Sequence, residues 1–198
     1  MSSLNFSGSI QERIIYMNSD SAKISGQEFL QKKSSLVTPE KKIAVLQPIH
    51  GLVFLPTTPV AYEDGYLTEI ARMDQALIGP PIAQVHLNYT LIGRIRAWGL
   101  HKKNMDRLFL ASGQVKFVIF DGRKDSPTYG AVNEIIVGDR SPGLLLIPPN
   151  LYHGWKNIGN TNALIINMPT NLYDYENPDA YHLDWNSAAA KKLIPYSF

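Results

Sequence analysis

The chain has 198 residues, 44% of them hydrophobic and 18% charged, with a formal net charge of +2 and no cysteine. So large an apolar supply with so little net charge builds a core and excludes a disordered chain, and the length fits one domain with an arm. The absence of Cys removes disulfides, thiolate zinc sites, iron–sulfur clusters and cysteine nucleophiles together, so any chemistry falls to His, carboxylates, Lys/Arg and Tyr.

The positive excess is confined to one region. Residues 1–45 hold six Lys/Arg against four acids, which leaves thirteen of each sign in the rest of the chain. A small excess in Ser-rich flanking sequence reads as a solvated arm, so no nucleic-acid partner is expected. No stretch approaches the roughly 18 apolar residues of a membrane span, and the N-terminus lacks the basic-then-apolar order of a secretory signal; no membrane partner and a cytoplasmic location are expected.

In chain order, residues 1–45 form the arm, where Ser25-Gly26-Gln27-Glu28 reads as a capping box opening a short helix to about Lys33. Residues 46–198 form the main domain. Its short apolar or alternating runs predict strands over 51–55, 65–71, 84–90, 94–101, 107–111, 114–121, 133–138, 144–148 and 163–168, with another carrying Tyr152, His153 and Trp155. Ser112-Gly113 and the turn-rich segments 121–130, 138–143 and 159–162 separate the later ones. Such a chain closes as an all-β antiparallel barrel or jelly roll, whose mouth is the usual ligand site. In 84–90 the alternation sets Val85, Leu87 and Tyr89 on one face and His86, Asn88 and Thr90 on the other, and the polar face either lines a cavity or meets solvent.

His101 stands out because Lys102, Lys103 and Arg107 follow closely; cations favour a neutral imidazole and stabilise an anion formed beside it, which suits a general base. The acidic tail 173–186 reads as a solvated turn region rather than a carboxylate pair. Gly-rich phosphate loops, the G-x-S-x-G elbow and His-Glu-x-x-His helices are missing from the sequence. Pro148, His153 and Asn157 reproduce the spacing of the second cupin motif, with Asn150 where Gly is usual. The cupin metal set needs a His-x-His pair, which here falls on His101 and Lys103; a cationic Lys opposes a bound dication, so neither metal nor cofactor is expected.

Four stretches in order, Trp98-Gly99-Leu100-His101, the turn Asp121 to Gly130, Ile147 to Trp155, and Trp185-Asn186, resemble the dTDP-4-dehydrorhamnose 3,5-epimerase family. The resemblance runs from about Ile49 to Trp185. It implies a cupin-type jelly roll (double-stranded β-helix) that dimerises through N-terminal strands and works without metal on a nucleotide-linked 4-keto-6-deoxy sugar. In the family a His removes the proton beside the ketone, a Lys steadies the enolate and a Tyr returns a proton from the opposite face.

Carried over, the base falls on His101 and the second His on His153, while the Lys aligns with Arg107. The Tyr acid aligns near Asn167 or Pro169, the two diphosphate-gripping Arg with Asp64 and Trp98, and the barrel Asp with Phe117. The Asp that pairs with the base belongs to a C-terminal segment absent after Trp185. Arg94, Arg96 and Lys103 are candidate replacements for the phosphate grip, and Tyr89, Tyr129 and Tyr152 for the acid.

The expected activity is therefore metal-independent sugar epimerisation or isomerisation in deoxysugar or polysaccharide biosynthesis, by a homodimer. His101 is the base, with Arg107 and Lys103 at the enolate. Asn88, Tyr89, Arg96, Lys103, His153 and Trp155 are the expected substrate contacts. The rival expectation is a catalytically lapsed cupin that binds a sugar, sugar nucleotide or other small ligand; a third is an interaction protein using the arm.

Overall fold

A computed structural model describes residues 48–198. The proposed arm and its capping-box helix lie outside the described residues. The alternating runs form two five-stranded antiparallel sheets laid face to face. One sheet has the order β1 (Val53–Pro56), β9 (Gly143–Ile147), β6 (Asp106–Ser112), β11 (Ala163–Asn167) and β4 (His86–Thr90). The other has the order β12 (Tyr181–His182), β5 (Ile95–Leu100), β10 (Tyr152–Asn157), β7 (Gln114–Phe120) and β8 (Val132–Gly138). A small hairpin, β2 (Val60–Tyr62) with β3 (Gly65–Leu67), stands apart. Every pair is antiparallel. This is the jelly roll that the strand pattern predicts.

Because successive strand side chains point to opposite faces, each sheet feeds two apolar layers. Between the sheets, Leu108, Leu110, Leu145, Ile147 and Ile165 meet Val115, Phe117, Ile119 and Trp155. On the outer side of the first sheet, Phe109, Leu144, Leu146 and Met168 are covered by Ile78, Ile70 and Ile82. On the outer side of the second, Trp98, Val118 and Phe120 are covered by Ala190 and Ile194. Ala190 belongs to helix α1 (Ala188–Leu193), whose N-cap Ser187 accepts a hydrogen bond from the Ala190 amide at 3.1 Å. The sequence reading missed α1, β2 and β12, all too short for a periodic signal, and of the predicted strand 65–71 only Gly65–Leu67 forms.

This alternation also sorts the polar residues. On β6, Asp106 faces inward with Leu108 and Leu110, whereas Arg107 faces outward with Phe109. On β4, Thr90 is buried and accepts from Trp155 Nε1 at 3.0 Å, while on the same face Asn88 is half-buried and His86 is exposed. Val85, Leu87 and Tyr89 are exposed on the outer face of this edge strand.

Candidate active site

At one end of the sandwich, polar groups from both sheets replace the apolar filling. His101 follows the last residue of β5, His153 sits near the start of β10, and Asp106 is the first residue of β6 in the opposite sheet. Strands β5 and β10 pair so that His153 lies opposite Gly99. A Cβ on Gly99 would stand 3.1 Å from His153 Nε2, so only glycine leaves the imidazole its full room. The rings of His101 and His153 stack with centroids 5.6 Å apart and planes inclined at 27°.

Both imidazoles aim at the same oxygen. Asp106 Oδ2 lies 3.4 Å from His101 Nε2 and 3.2 Å from His153 Nε2. Its other oxygen, Oδ1, accepts from Asn167 Nδ2 at 2.9 Å, and Asn167 Oδ1 accepts from the Arg107 amide at 3.2 Å. The far ring nitrogens face backbone carbonyls: His153 Nδ1 that of Leu151 at 3.1 Å, and His101 Nδ1 that of Asp179. A carbonyl only accepts, so each Nδ1 carries the proton and each Nε2 is the atom presented to the interior.

The electrostatics follow from these contacts. Burial alone would lower the His101 pKa, but the hydrogen bond and charge of Asp106, and then Asp179, outweigh it and raise the imidazole to about 9. For Asp106, burial pushes upward, yet hydrogen bonds and charge from His101 and His153 hold the carboxyl well below the usual carboxylate range. One donor atom from each of His101, Asp106 and His153 lies within 4.8 Å of the others, so among the described residues these three form a group able to hold a cation. Lys103 discourages a His-x-His site, but Asp106 supplies a third ligating group that spacing alone did not reveal.

Asp179 serves His101 in a second way. Its carboxylate accepts the amides of Lys102, Lys103 and Asn104 at 3.0, 2.8 and 3.0 Å, gathering the loop just after His101 onto the segment that also offers the carbonyl. These bonds hold its carboxyl below the ordinary value despite the opposing effect of burial. Asp179, which precedes Trp185, thus meets His101 through its main-chain carbonyl.

Other expected residues divide clearly. Arg107 does not join the imidazoles. It is fully buried, and its guanidinium donates to the carbonyls of Ile78 at 2.8 Å, Met168 at 2.9 Å and Pro80, so its side chain braces the outer layer. Trp155 is an interior core residue on Phe117 and Thr90, with the exposed Arg96 stacked 5.7 Å from its ring centroid. Tyr89 points outward and its hydroxyl accepts from Asn162 Nδ2 at 2.7 Å, while Tyr152 packs on Phe120 on the outer side of β10. Tyr129 is exposed beyond the 121–130 turn, and Lys103 is exposed on the loop that Asp179 holds. Trp98 is buried under Phe198, far in character from a phosphate contact.

The fold and site define a cupin-type jelly roll with a His–carboxylate centre at one end. The model of the dTDP-4-dehydrorhamnose 3,5-epimerase family matches residues 47–192, and the chain belongs to that family. A probable low-salt glycan biosynthesis epimerase of Haloferax volcanii is 34% identical over 139 residues, covering 64% of this chain and 88% of the relative. A spore coat polysaccharide biosynthesis protein of Bacillus subtilis is 32% identical over 122 residues, covering 62% and 80%. Among solved structures, a dTDP sugar isomerase from Desulfovibrio desulfuricans G20 superposes with a TM-score of 0.70 at 23% identity, over 78% of this chain and 94% of that one. A dTDP-6-deoxy-D-glucose-3,5-epimerase from Legionella pneumophila, solved with dTDP-4-keto-L-rhamnose, gives 0.63 at 18% identity, over 74% and 80%. The structural matches establish the fold, and the family assignment makes the chain a sugar-epimerase-like protein.

Proposed function

We propose that the protein epimerises or isomerises a nucleotide-linked 4-keto-6-deoxy sugar, with His101 removing the proton beside the ketone, in glycan or polysaccharide biosynthesis. The observation that carries the reading is the orientation of His101. Its Nδ1–H is tied to the Asp179 carbonyl, so the basic Nε2 faces the interior, and the ring is still 23% exposed to a ligand entering from the open end. Asp106 stabilises the imidazolium that proton abstraction creates. His153 beside the base and Asn88 on the half-buried face of β4 are the substrate contacts of this reading. Lys103 is the cation of the expected set placed next to His101, and it takes the enolate role that Arg107 is in no position to fill. A homodimer and a cytoplasmic setting accompany this reading; the exposed apolar face of the β4 edge supports the former and the nucleotide-sugar substrate the latter.

The test is solvent exchange: incubated in D₂O with a 4-keto-6-deoxy nucleotide sugar, the protein should place deuterium at C3 or C5. No incorporation, or equal incorporation by His101→Ala, overturns the assignment. A second reading, a sugar-binding cupin without turnover, draws on the positions of Tyr89 and Tyr152, whose side chains leave the interior. It predicts saturable sugar-nucleotide binding by calorimetry with no exchange at either carbon.

A further inference from the structure

The interior end of the sandwich brings one potential ligand atom from each of His101, His153 and Asp106 together. Both Nδ1 protons are fixed on backbone carbonyls, those of Leu151 and Asp179. In the neutral ring each Nε2 is then an unprotonated lone pair, and both lone pairs converge on a buried carboxylate oxygen at 3.2 and 3.4 Å. A proton held between an imidazole and the carboxylate balances this arrangement, and a bound cation can take that proton's place. Arg107, the adjacent cation in sequence, points to the other side of the sheet and is engaged there.

We infer that His101 Nε2, His153 Nε2 and Asp106 Oδ2 form a binding site for a divalent first-row transition ion. Ligands about 2.1 Å from a tetrahedral Zn²⁺ stand roughly 3.4 Å from one another, so the His–Asp spacings are already those of a coordination edge. The surroundings are those of a metal centre as well. Each imidazole donates its remote N–H to a carbonyl, and the free carboxylate oxygen is held by Asn167 at 2.9 Å. Two imidazoles and one carboxylate select ions of the Zn²⁺ or Co²⁺ kind over Mg²⁺ or Ca²⁺, which prefer oxygen alone. The partial exposure of His101 leaves a coordination position open on the solvent side.

Occupancy has a consequence for the proposed activity. The ion takes the Nε2 lone pair that would accept the substrate proton, so a loaded site cannot also act as the base. Metal binding and His101-dependent exchange are mutually exclusive, and this clause, unlike the site itself, rests on the epimerase reading.

The experiment uses the full chain, stripped with EDTA, dialysed and titrated with Co²⁺ while visible d–d absorption is recorded. The absorption should saturate at one Co²⁺ per chain and be displaced by Zn²⁺. Asn167→Ala should weaken binding 10–100-fold, and Asp106→Asn and His101→Ala should abolish the saturable signal. Circular dichroism confirms folding, and the partly exposed His101 supplies a variant that does not disturb the buried core. No saturation at one equivalent, or an equivalent held undiminished by His101→Ala and Asp106→Asn, overturns the site. Deuterium exchange is then compared between stripped and loaded protein: exchange lost on loading and restored by chelator supports exclusion, and equal exchange in both overturns it. Stripped protein that never exchanges refutes the epimerase reading while the Co²⁺ result still decides the site.

Discussion

Replacing Arg107 by Met separates a brace from a catalytic group. The guanidinium is buried with hydrogen bonds to the carbonyls of Ile78, Met168 and Pro80. Hydrogen bonds from a charged donor are worth about 1.5–3 kcal/mol each, and a buried carbonyl left unpaired forfeits about 1–3 kcal/mol. Against this stands relief of the desolvation of a buried cation, several kcal/mol, the same burial that lowers the Arg107 pKa. Since Met preserves the apolar stem, the net loss should be about 3–4 kcal/mol, a large share of the roughly 5–15 kcal/mol that holds a domain together. In a domain of this size that is a fall in Tm of roughly 10 °C. Arg107→Lys should lose about 2 kcal/mol, because one ammonium cannot span three carbonyls in a fixed fork. The assay is urea unfolding followed by tryptophan fluorescence, with deuterium exchange measured at a temperature where the variant is folded. A stability change below about 1 kcal/mol together with abolished exchange would refute the reasoning and return Arg107 to the substrate.

Four further outcomes follow from the same geometry. With the His101 pKa near 9, the neutral base in stripped protein falls about tenfold per pH unit below that value, so exchange should rise with pH and level off near 9; a plateau by pH 7 contradicts this. The sign for stability is the reverse: because the folded pKa exceeds that of a free imidazole, His101 contributes below about 6.5, and its contribution is lost as pH rises through about 9, read as a falling urea midpoint. Asp179→Ala frees the amides of Lys102, Lys103 and Asn104 and moves the carbonyl from His101; ¹⁵N NMR should show a lowered His101 pKa and mixed tautomers, with Asp179→Asn restoring part of the effect. Gly99→Ala sets a methyl carbon 3.1 Å from His153 Nε2 and should weaken Co²⁺ binding at least tenfold while shifting Tm by only a few degrees, since the ring must give way but the strand need not; unchanged affinity would show that His153 is not where the cation sits.

Much of the fold was legible because the jelly roll is built from strands whose alternation is short and clean. Leu108 and Leu110 against Phe109 already distinguish an inner from an outer layer. The same parity, extended one step back, shows Asp106 sharing the inner face and Arg107 the outer, a signal that local cation counting around His101 passes over. Alignment to the family also hid Asp106, because it sought the carboxylate at Phe117, which is core. The carbonyl of Asp179 had no signature at all: main-chain groups are common to every residue, and only the return of β12 to β5 brings this one to His101. Tyr89 and Tyr152 were attractive because of their chemistry, yet strand parity turns both away from the interior.

Asp106 and Arg107 are neighbours held by pairing on both sides of β6, Arg107 opposite Leu146 of β9 and Leu108 opposite Asn167 of β11. A slip of one residue would drive the guanidinium in among the imidazoles and strand the carboxylate beneath three carbonyls, reversing the sign of charge on both sides of the sheet at once. The irregularity that β6 does carry, between Leu110 and Ser112 against β11, lies at its far end and leaves the register of Asp106 and Arg107 intact. New chemistry at the centre has to arise by exchanging side chains in place, which makes position 106 the dial on which members of such a fold would set the charge their substrates meet.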